Sequence, residues 1–147
     1  MRIAIGSDHA GYDQKARLAD HLAKRGHQVS DFGTVNAEDS VDYPDFALAV
    51  GRAVTAGDAD FGVLVCGTGI GMAIAANKVP GVRAANVTDP EFAALSREHN
   101  DANVVTLSAR FVPLQVNEAI LDEFLSTEFA GARHAGRVAK ITAAERA

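Results

Sequence analysis

The chain has 147 residues, 48% of them hydrophobic and 22% charged, with a formal net charge of −5. That is one domain with enough buried surface to fold unaided, and its single cysteine, Cys66, excludes an intrachain disulfide framework. The acidic balance disfavours nucleic acid and membrane as partners, and the longest uncharged run, residues 61–77, is interrupted by glycines at 62, 67, 69 and 71.

The first apolar run, Arg2–Gly6, reads as a strand rather than a signal peptide, so a cytoplasmic protein with a free thiol is expected. Leu18, Ala19, Leu22 and Ala23 then line one face of a helix that Gly26 stops. A second strand is expected over Gln28–Phe32. Phe46, Ala47, Val50, Ala53 and Val54 line a second helix, with Pro44 near its start and Gly57 past its end. Asp60–Cys66 reads as the third strand, followed by a short helix from about Met72 to Lys78. Val82–Val87 reads as the fourth strand. Thr88-Asp89-Pro90-Glu91 starts the next helix, through an Asp cap with proline at the first position or through a Thr…Glu capping box. Asn103–Leu107 reads as the fifth strand. Val116, Ile120 and Phe124 stripe a fifth helix, and residues from about Arg133 to Glu145 form a last one.

Alternating strands and helices imply an α/β fold, a parallel sheet covered by helices on both faces. Right-handed crossovers gather the strand C-terminal ends on one rim, and ligands bind outside those ends. The places to look therefore follow Gly6, Cys66, Val87 and Leu107.

After Gly6 the chain reads Ser7-Asp8-His9-Ala10-Gly11, but Tyr12-Asp13 follows where a nucleotide-binding P-loop requires Lys-Ser/Thr. Two readings of the Asp8-His9 pair stand: chemistry at the rim, or Asp8 as a cap on the first helix. After the third strand comes Cys66-Gly67-Thr68-Gly69-Ile70-Gly71-Met72. The dinucleotide fingerprint fails, because Met72 stands where its third glycine belongs. Alternate glycines still let backbone N–H groups converge on an anion, and a thiolate beside such donors is stabilised. Thiolate and donors together suit proton abstraction next to a carbonyl. The other reading is a small buried cysteine closing an apolar strand.

His99-Asn100 closes the helix begun at Asp89, and the helix dipole there favours a protonated imidazole, which suits an acid. An idle helix-end histidine is the competing reading. Arg133 and Arg137 lie four apart on one face, matching a phosphate that Arg110 could join, or forming a solvated surface. Scattered histidines and one cysteine give no zinc-ligand spacing, so no metal is expected.

At these residues the sequence resembles the type B ribose-5-phosphate isomerases, whose family includes allose-6-phosphate isomerase and the galactose-6-phosphate isomerase subunits. The resemblance rests on I-A-I-G-S-D-H-A-G, Val41-Asp42-Tyr43-Pro44, C-G-T-G-I-G-M, A-A-N-K, L-S-R-E-H-N-D-A-N-V and G-A-R-H-A-G-R-V, and covers nearly the whole chain. It implies a Rossmann-like three-layer α/β/α sandwich on a five-stranded parallel sheet. It also implies cofactor-free interconversion of ribose 5-phosphate and ribulose 5-phosphate. Cys66 would be the base. Gly67, Gly69 and Gly71, flanking Ile70, would hold the enediolate with the Thr68 hydroxyl. His99 would open the furanose ring with help from Asp8. His9, Arg133, Arg137 and Arg110 would hold the phosphate, Asn100 would contact the sugar, and Tyr43 would border the pocket. The family further implies a homodimer, sometimes paired into tetramers, with sites shared between subunits. One branch carries a glutamate base just after the glycines. Met72 occupies that position here, which places this sequence in the cysteine branch.

Two alternatives remain, one in the substrate and one in the class of function. A six-carbon sugar phosphate or an unphosphorylated aldose would use the same chemistry. A non-catalytic nucleotide- or anion-binding module would leave Cys66 and His99 without roles.

Overall fold

A computed structural model describes residues 1–146. Its five strands are β1 (Arg2–Ser7), β2 (Gln28–Asp31), β3 (Phe61–Cys66), β4 (Ala84–Asn86) and β5 (Val104–Ser108). All pair in parallel, in the order β2-β1-β3-β5-β4. The helices are α1 (Tyr12–Lys24), α2 (Tyr43–Thr55), α3 (Ile70–Ala76), α4 (Pro90–Asn100), α5 (Leu114–Ser126) and α6 (Arg133–Ala144).

The two-residue period of the strands divides the core in two. Ile3, Ile5, Val63, Val65, Val105 and Leu107 face Leu18, Leu22, Ala93, Ile120, Leu121 and Phe124 of α1, α4 and α5. Ala4, Leu64, Cys66 and Val104 face Ala47, Val50, Ala53, Met72 and Ala76 of α2 and α3. This is the expected three-layer sandwich, with both sheet faces buried as an all-parallel sheet requires.

Element boundaries differ from the sequence expectation by small steps with local causes. The third helix starts at Ile70, two residues early, because Gly69 adopts φ 81° and turns the chain straight from the strand into the helix. The choice at α4 falls to the Asp cap: the Asp89 carboxylate accepts from the Phe92 N–H at 3.0 Å, with Pro90 opening the helix. Asp8 does not cap α1 directly. Its Oδ1 accepts from the N–H of Gly11, itself the N-cap residue, and so closes the preceding turn.

Sheet order positions the site. From β1 the chain moves outward to β2 and returns across to β3, so the carboxyl ends of β1 and β3 diverge at a topological switch point. Asp8-His9 leaves β1 there and the Cys66–Gly71 loop leaves β3 there. No helix among the described residues is long and apolar enough to cross a membrane.

Candidate active site

Cys66 ends β3 with 6% of its surface exposed, packed among Leu64, Met72 and Ala76. Both sequence readings of it hold in part: it closes an apolar strand, and it carries a directed donor. The Gly69 N–H donates to Sγ at 3.1 Å. The loop had been expected to offer its Gly67, Gly69 and Gly71 amides to a substrate oxyanion. The three-residue turn instead commits the Gly69 amide to the sulfur, and the N-cap residue, Gly69 itself, offers no side chain to the first turn of α3. Thr68 is exposed and its Oγ1 accepts from the Ile70 N–H at 3.2 Å, which leaves the hydroxyl proton available to a ligand.

Neighbouring loops hold this turn in place. The Gly67 carbonyl accepts from Ser108 Oγ at 2.7 Å and from the Arg110 N–H at 3.1 Å, while the Cys66 carbonyl accepts from Ala109 N–H at 2.9 Å. Arg110 is thereby carried over Gly67. Behind it, Gln14 donates to the Ala109 and Val112 carbonyls, and the buried Asn117 amide donates to Gln14 and to the Ser108 carbonyl. On the β1 side, Asp8 is buried with one oxygen bound to Gly11, and the Asp8 N–H reaches the Val65 carbonyl at 3.3 Å. His9 Nδ1 accepts from the Val41 N–H at 3.2 Å, which makes Nε2 the donor.

Together these segments line an open, shallow cavity of about 460 Å³, bordered by Asp8, Tyr43, Cys66, Thr68, Gly71 and Arg110, among others. Tyr43 sits so close to Gly71 that a Cβ there would lie 2.6 Å from the tyrosine ring. Glycine at 71 is therefore a packing requirement. A concavity of similar size, about 470 Å³, opens beside β4 between Asn77, Arg83, Asn100 and Ile141. It contains no thiol and lies at the other end of the sheet.

That second location corrects one expectation. Base, backbone donors and acid were expected on the same rim, but His99 and Asn100 lie at the opposite one. A helix that follows a parallel strand runs back antiparallel to it, so the C-terminus of α4 returns to the amino ends of the strands. Asn103, just past α4, bonds to Arg83 just ahead of β4. Gly62–Cys66 spans the sheet against Val104–Ser108, so the two rims stand on the order of 13 Å apart. The last turn of α4 is fixed there by Arg97, which is buried over the edge-to-face Phe61 and Phe124 rings and donates to the Ala102 and Thr127 carbonyls.

Arg133 and Arg137 also lie on this rim, both exposed, on a helix that touches the body lightly. Contacts at and beside its two ends tether α6. The Ala130 N–H donates to the Glu98 carbonyl at 3.0 Å, Glu145 accepts from the Gly81 N–H at 2.9 Å, and the His134 ring stacks on His99 at 4.4 Å and 15°. His134 was not among the expected site residues. Its only sequence signal was its place between Ala132-Arg133 and Arg137, and no local pattern announces a stacking partner 35 positions away. Burial holds the His134 imidazole below its ordinary value, and Arg133, His99 and Arg137 add to that against the opposing Glu98.

The candidate residues thus stand in two groups: Asp8, His9, Tyr43, Cys66–Gly71 and Arg110 at the strand carboxyl ends, and His99, Asn100, Arg133 and Arg137 at the amino ends. The sequence profile of the ribose/galactose isomerase family matches residues 3–141. Ribose-5-phosphate isomerase B of Escherichia coli is 45% identical over 144 residues, covering 98% of this chain and 96% of that one. A solved Clostridium thermocellum ribose-5-phosphate isomerase B superposes with a TM-score of 0.97 at 55% identity, covering 99% and 98% of the two chains. The Mycoplasma genitalium enzyme, solved with ribulose 5-phosphate bound, superposes with a TM-score of 0.94 at 44% identity over 99% of this chain and 96% of that chain. With this sheet order and matches that span nearly its whole length, the chain belongs to the ribose/galactose isomerase family.

Proposed function

We propose that the protein interconverts ribose 5-phosphate and ribulose 5-phosphate through a cis-enediolate, with Cys66 as the general base. The observation that carries this reading is the Cys66–Gly71 turn: a thiol with a backbone donor at the β1/β3 switch point, facing a cavity of about 460 Å³. The ribulose 5-phosphate bound to the Mycoplasma genitalium relative supports the choice of a five-carbon substrate.

The chemistry needs two proton carriers. A furanose has no free carbonyl, so its C2 proton is not acidic until the ring opens. His99 donates to the ring oxygen as the C1–O bond breaks, and the free oxygen of Asp8 accepts the C1 hydroxyl proton. The Cys66 thiolate then takes the C2 proton of the open aldose and delivers it to C1 of the enediolate, while the C2 hydroxyl proton passes to O1, leaving the C2 carbonyl of the ketose and a regenerated thiolate. The Thr68 hydroxyl and the uncapped amides around Gly67 and Gly71 hold the developing oxyanion. The phosphate, held by His9 Nε2, Arg110, Arg133 and Arg137, orients C1 and C2 from a distance.

The separation of the two groups supports a homodimer in which α4 and α6 of one subunit close the cavity of the other. His99, Asn100, Arg133 and Arg137 then act across the interface, and the single domain of residues 1–147 works as half of a shared site. A catalytic thiol suits the reducing cytoplasm.

The test is ribulose 5-phosphate formation from ribose 5-phosphate with EDTA present, for the wild type beside Cys66→Ala. Turnover by the wild type alone is expected. Equal turnover by both removes Cys66 as base, and turnover by neither removes the substrate assignment.

A further inference from the structure

The stack of His134 on His99 has no task in the mechanism above. Its geometry is specified by the chain leading into it. Gly131 and Ala132 both take positive φ, 65° and 48°, and Ala130 is bonded back to Glu98, so the first turn of α6 is aimed at the last turn of α4. A non-glycine residue at φ 48° is uncommon and persists only where surrounding structure holds it. The result is two imidazoles in near-parallel contact, 4.4 Å between centroids, with His134 at 7% exposure beneath the half-exposed His99.

We infer that His134 is the positioning residue for the ring-opening acid: its flat face fixes the rotation of the His99 imidazole so that one ring nitrogen is aimed at the furanose oxygen. The inference rests on the reading of His99 as that acid. An imidazole χ2 torsion is otherwise broad, and a proton donor must be aligned to within hydrogen-bond reach of its acceptor. The charge environment agrees with the geometry. The groups facing His134 are Glu98 and His99 from α4 and Arg133 and Arg137 from its own helix. Their balance and its burial disfavour the protonated form of His134.

Ring opening can be read apart from proton transfer, because ribulose 5-phosphate has no ring to open. Turnover of ribose 5-phosphate requires both steps. Exchange of the C1 proton of ribulose 5-phosphate in D₂O, followed by NMR, requires only the second. The experiment compares His99→Asn, His134→Ala, His134→Leu and His134→Phe in the intact enzyme. Leucine fills the space without a flat face, and phenylalanine restores the face without a titrating group. The expected result is a kcat for ribose 5-phosphate lowered roughly tenfold in His134→Ala and His134→Leu. In both, C1 exchange stays within about twofold of wild type, and His134→Phe recovers most of the lost turnover. Equal losses in both reactions, or a raised KM with kcat unchanged, would assign His134 to the phosphate side and overturn the inference. Wild-type turnover in His134→Leu overturns it as well. If His99→Asn itself turns over ribose 5-phosphate normally, the acid assignment fails first and the stack loses its purpose with it.

Discussion

The Gly69 N–H points at Cys66 Sγ from 3.1 Å, so the loop that ends β3 is built around the sulfur. Gly69 reaches that position only because its φ is 81°, and a Cβ there would lie 2.3 Å from Asn86 Oδ1 and 3.1 Å from the Leu107 backbone. Gly69→Ala is therefore expected to cost about 1–3 kcal/mol in folding stability and to lower kcat by about tenfold or more through loss of the sulfur's donor. Urea midpoints and steady-state kinetics on the same preparation check both numbers. Cys66→Ala, by contrast, is expected to keep its fold and its affinity for ribose 5-phosphate while losing at least ~10²-fold in kcat.

Tyr43 and Gly71 form a second coupled pair. Gly71→Ala pushes the tyrosine ring out of the pocket wall, raising KM by about tenfold or more. Tyr43→Ala removes the obstacle, so the double variant is expected to fall well short of additive loss. A full double-mutant cycle in kcat/KM measures that coupling, and strict additivity would contradict the contact.

The proposed sharing of the site between two subunits makes a prediction about mixtures. Cys66→Ala and His99→Asn homodimers are each expected to be inactive. Unfolded together in equal amounts and refolded, they form heterodimers in which one of two sites has both wild-type halves. Recovery of about a quarter of wild-type activity is the expected result for random pairing, and no recovery would place His99 and Cys66 in the same subunit's site.

The pH dependence of folding carries the signature of His134. Its folded imidazole is held below the ordinary value of 6.5, so the unfolded chain binds the proton first as pH falls. Its contribution is present above 6.5 and is lost as pH drops through that value toward the lower folded one. His27, lowered by burial and by the N-terminal ammonium, works in the same direction. Asp60, held down by hydrogen bonds from the Arg2 backbone and side chain, loses its contribution only below 3.8. Between pH 7.5 and 5.5, Tm is thus expected to fall less in His134→Gln than in wild type. An identical or steeper fall would contradict the neutral, buried imidazole.

Lys15 tests how the β2 loop is held. Its Nζ is buried and donates to both Asp31 oxygens at 2.7 and 2.9 Å and to the Thr34 carbonyl at 2.6 Å. Asp31 is half exposed and can rehydrate, whereas the buried Thr34 carbonyl cannot. Lys15→Met is expected to cost about 1–3 kcal/mol, mainly from that carbonyl. The urea midpoint measures it.

Lys15 also marks where local pattern stops being informative. On the helical stripe of Leu18 and Leu22 a lysine reads as a surface residue. Only the return of the β2 loop beneath α1 brings the acceptors that allow its burial. The strands and helices themselves were legible because each satisfies a short-range rule: short Val- and Ile-rich apolar runs bounded by turn residues, proline at helix starts, Asp89 as a cap, glycine where φ turns positive. The Cys66–Gly71 loop was legible for the same reason, since its donors and sulfur lie within a few bonds of each other. Strand order was not, because a βαβ unit states its own handedness and not which neighbour the next strand joins. Nor was the location of His99. Its helix end was evident, but the rim it reaches depends on the direction in which α4 packs, and its stack on His134 joins residues 35 positions apart. The sequence by itself determined the fold class, the thiol loop and the presence of the residue types proposed as acid, base and phosphate ligands. The tertiary structure decided that these stand on two rims of one sheet, because a rigid parallel strand separates its two ends and no local interaction brings them together.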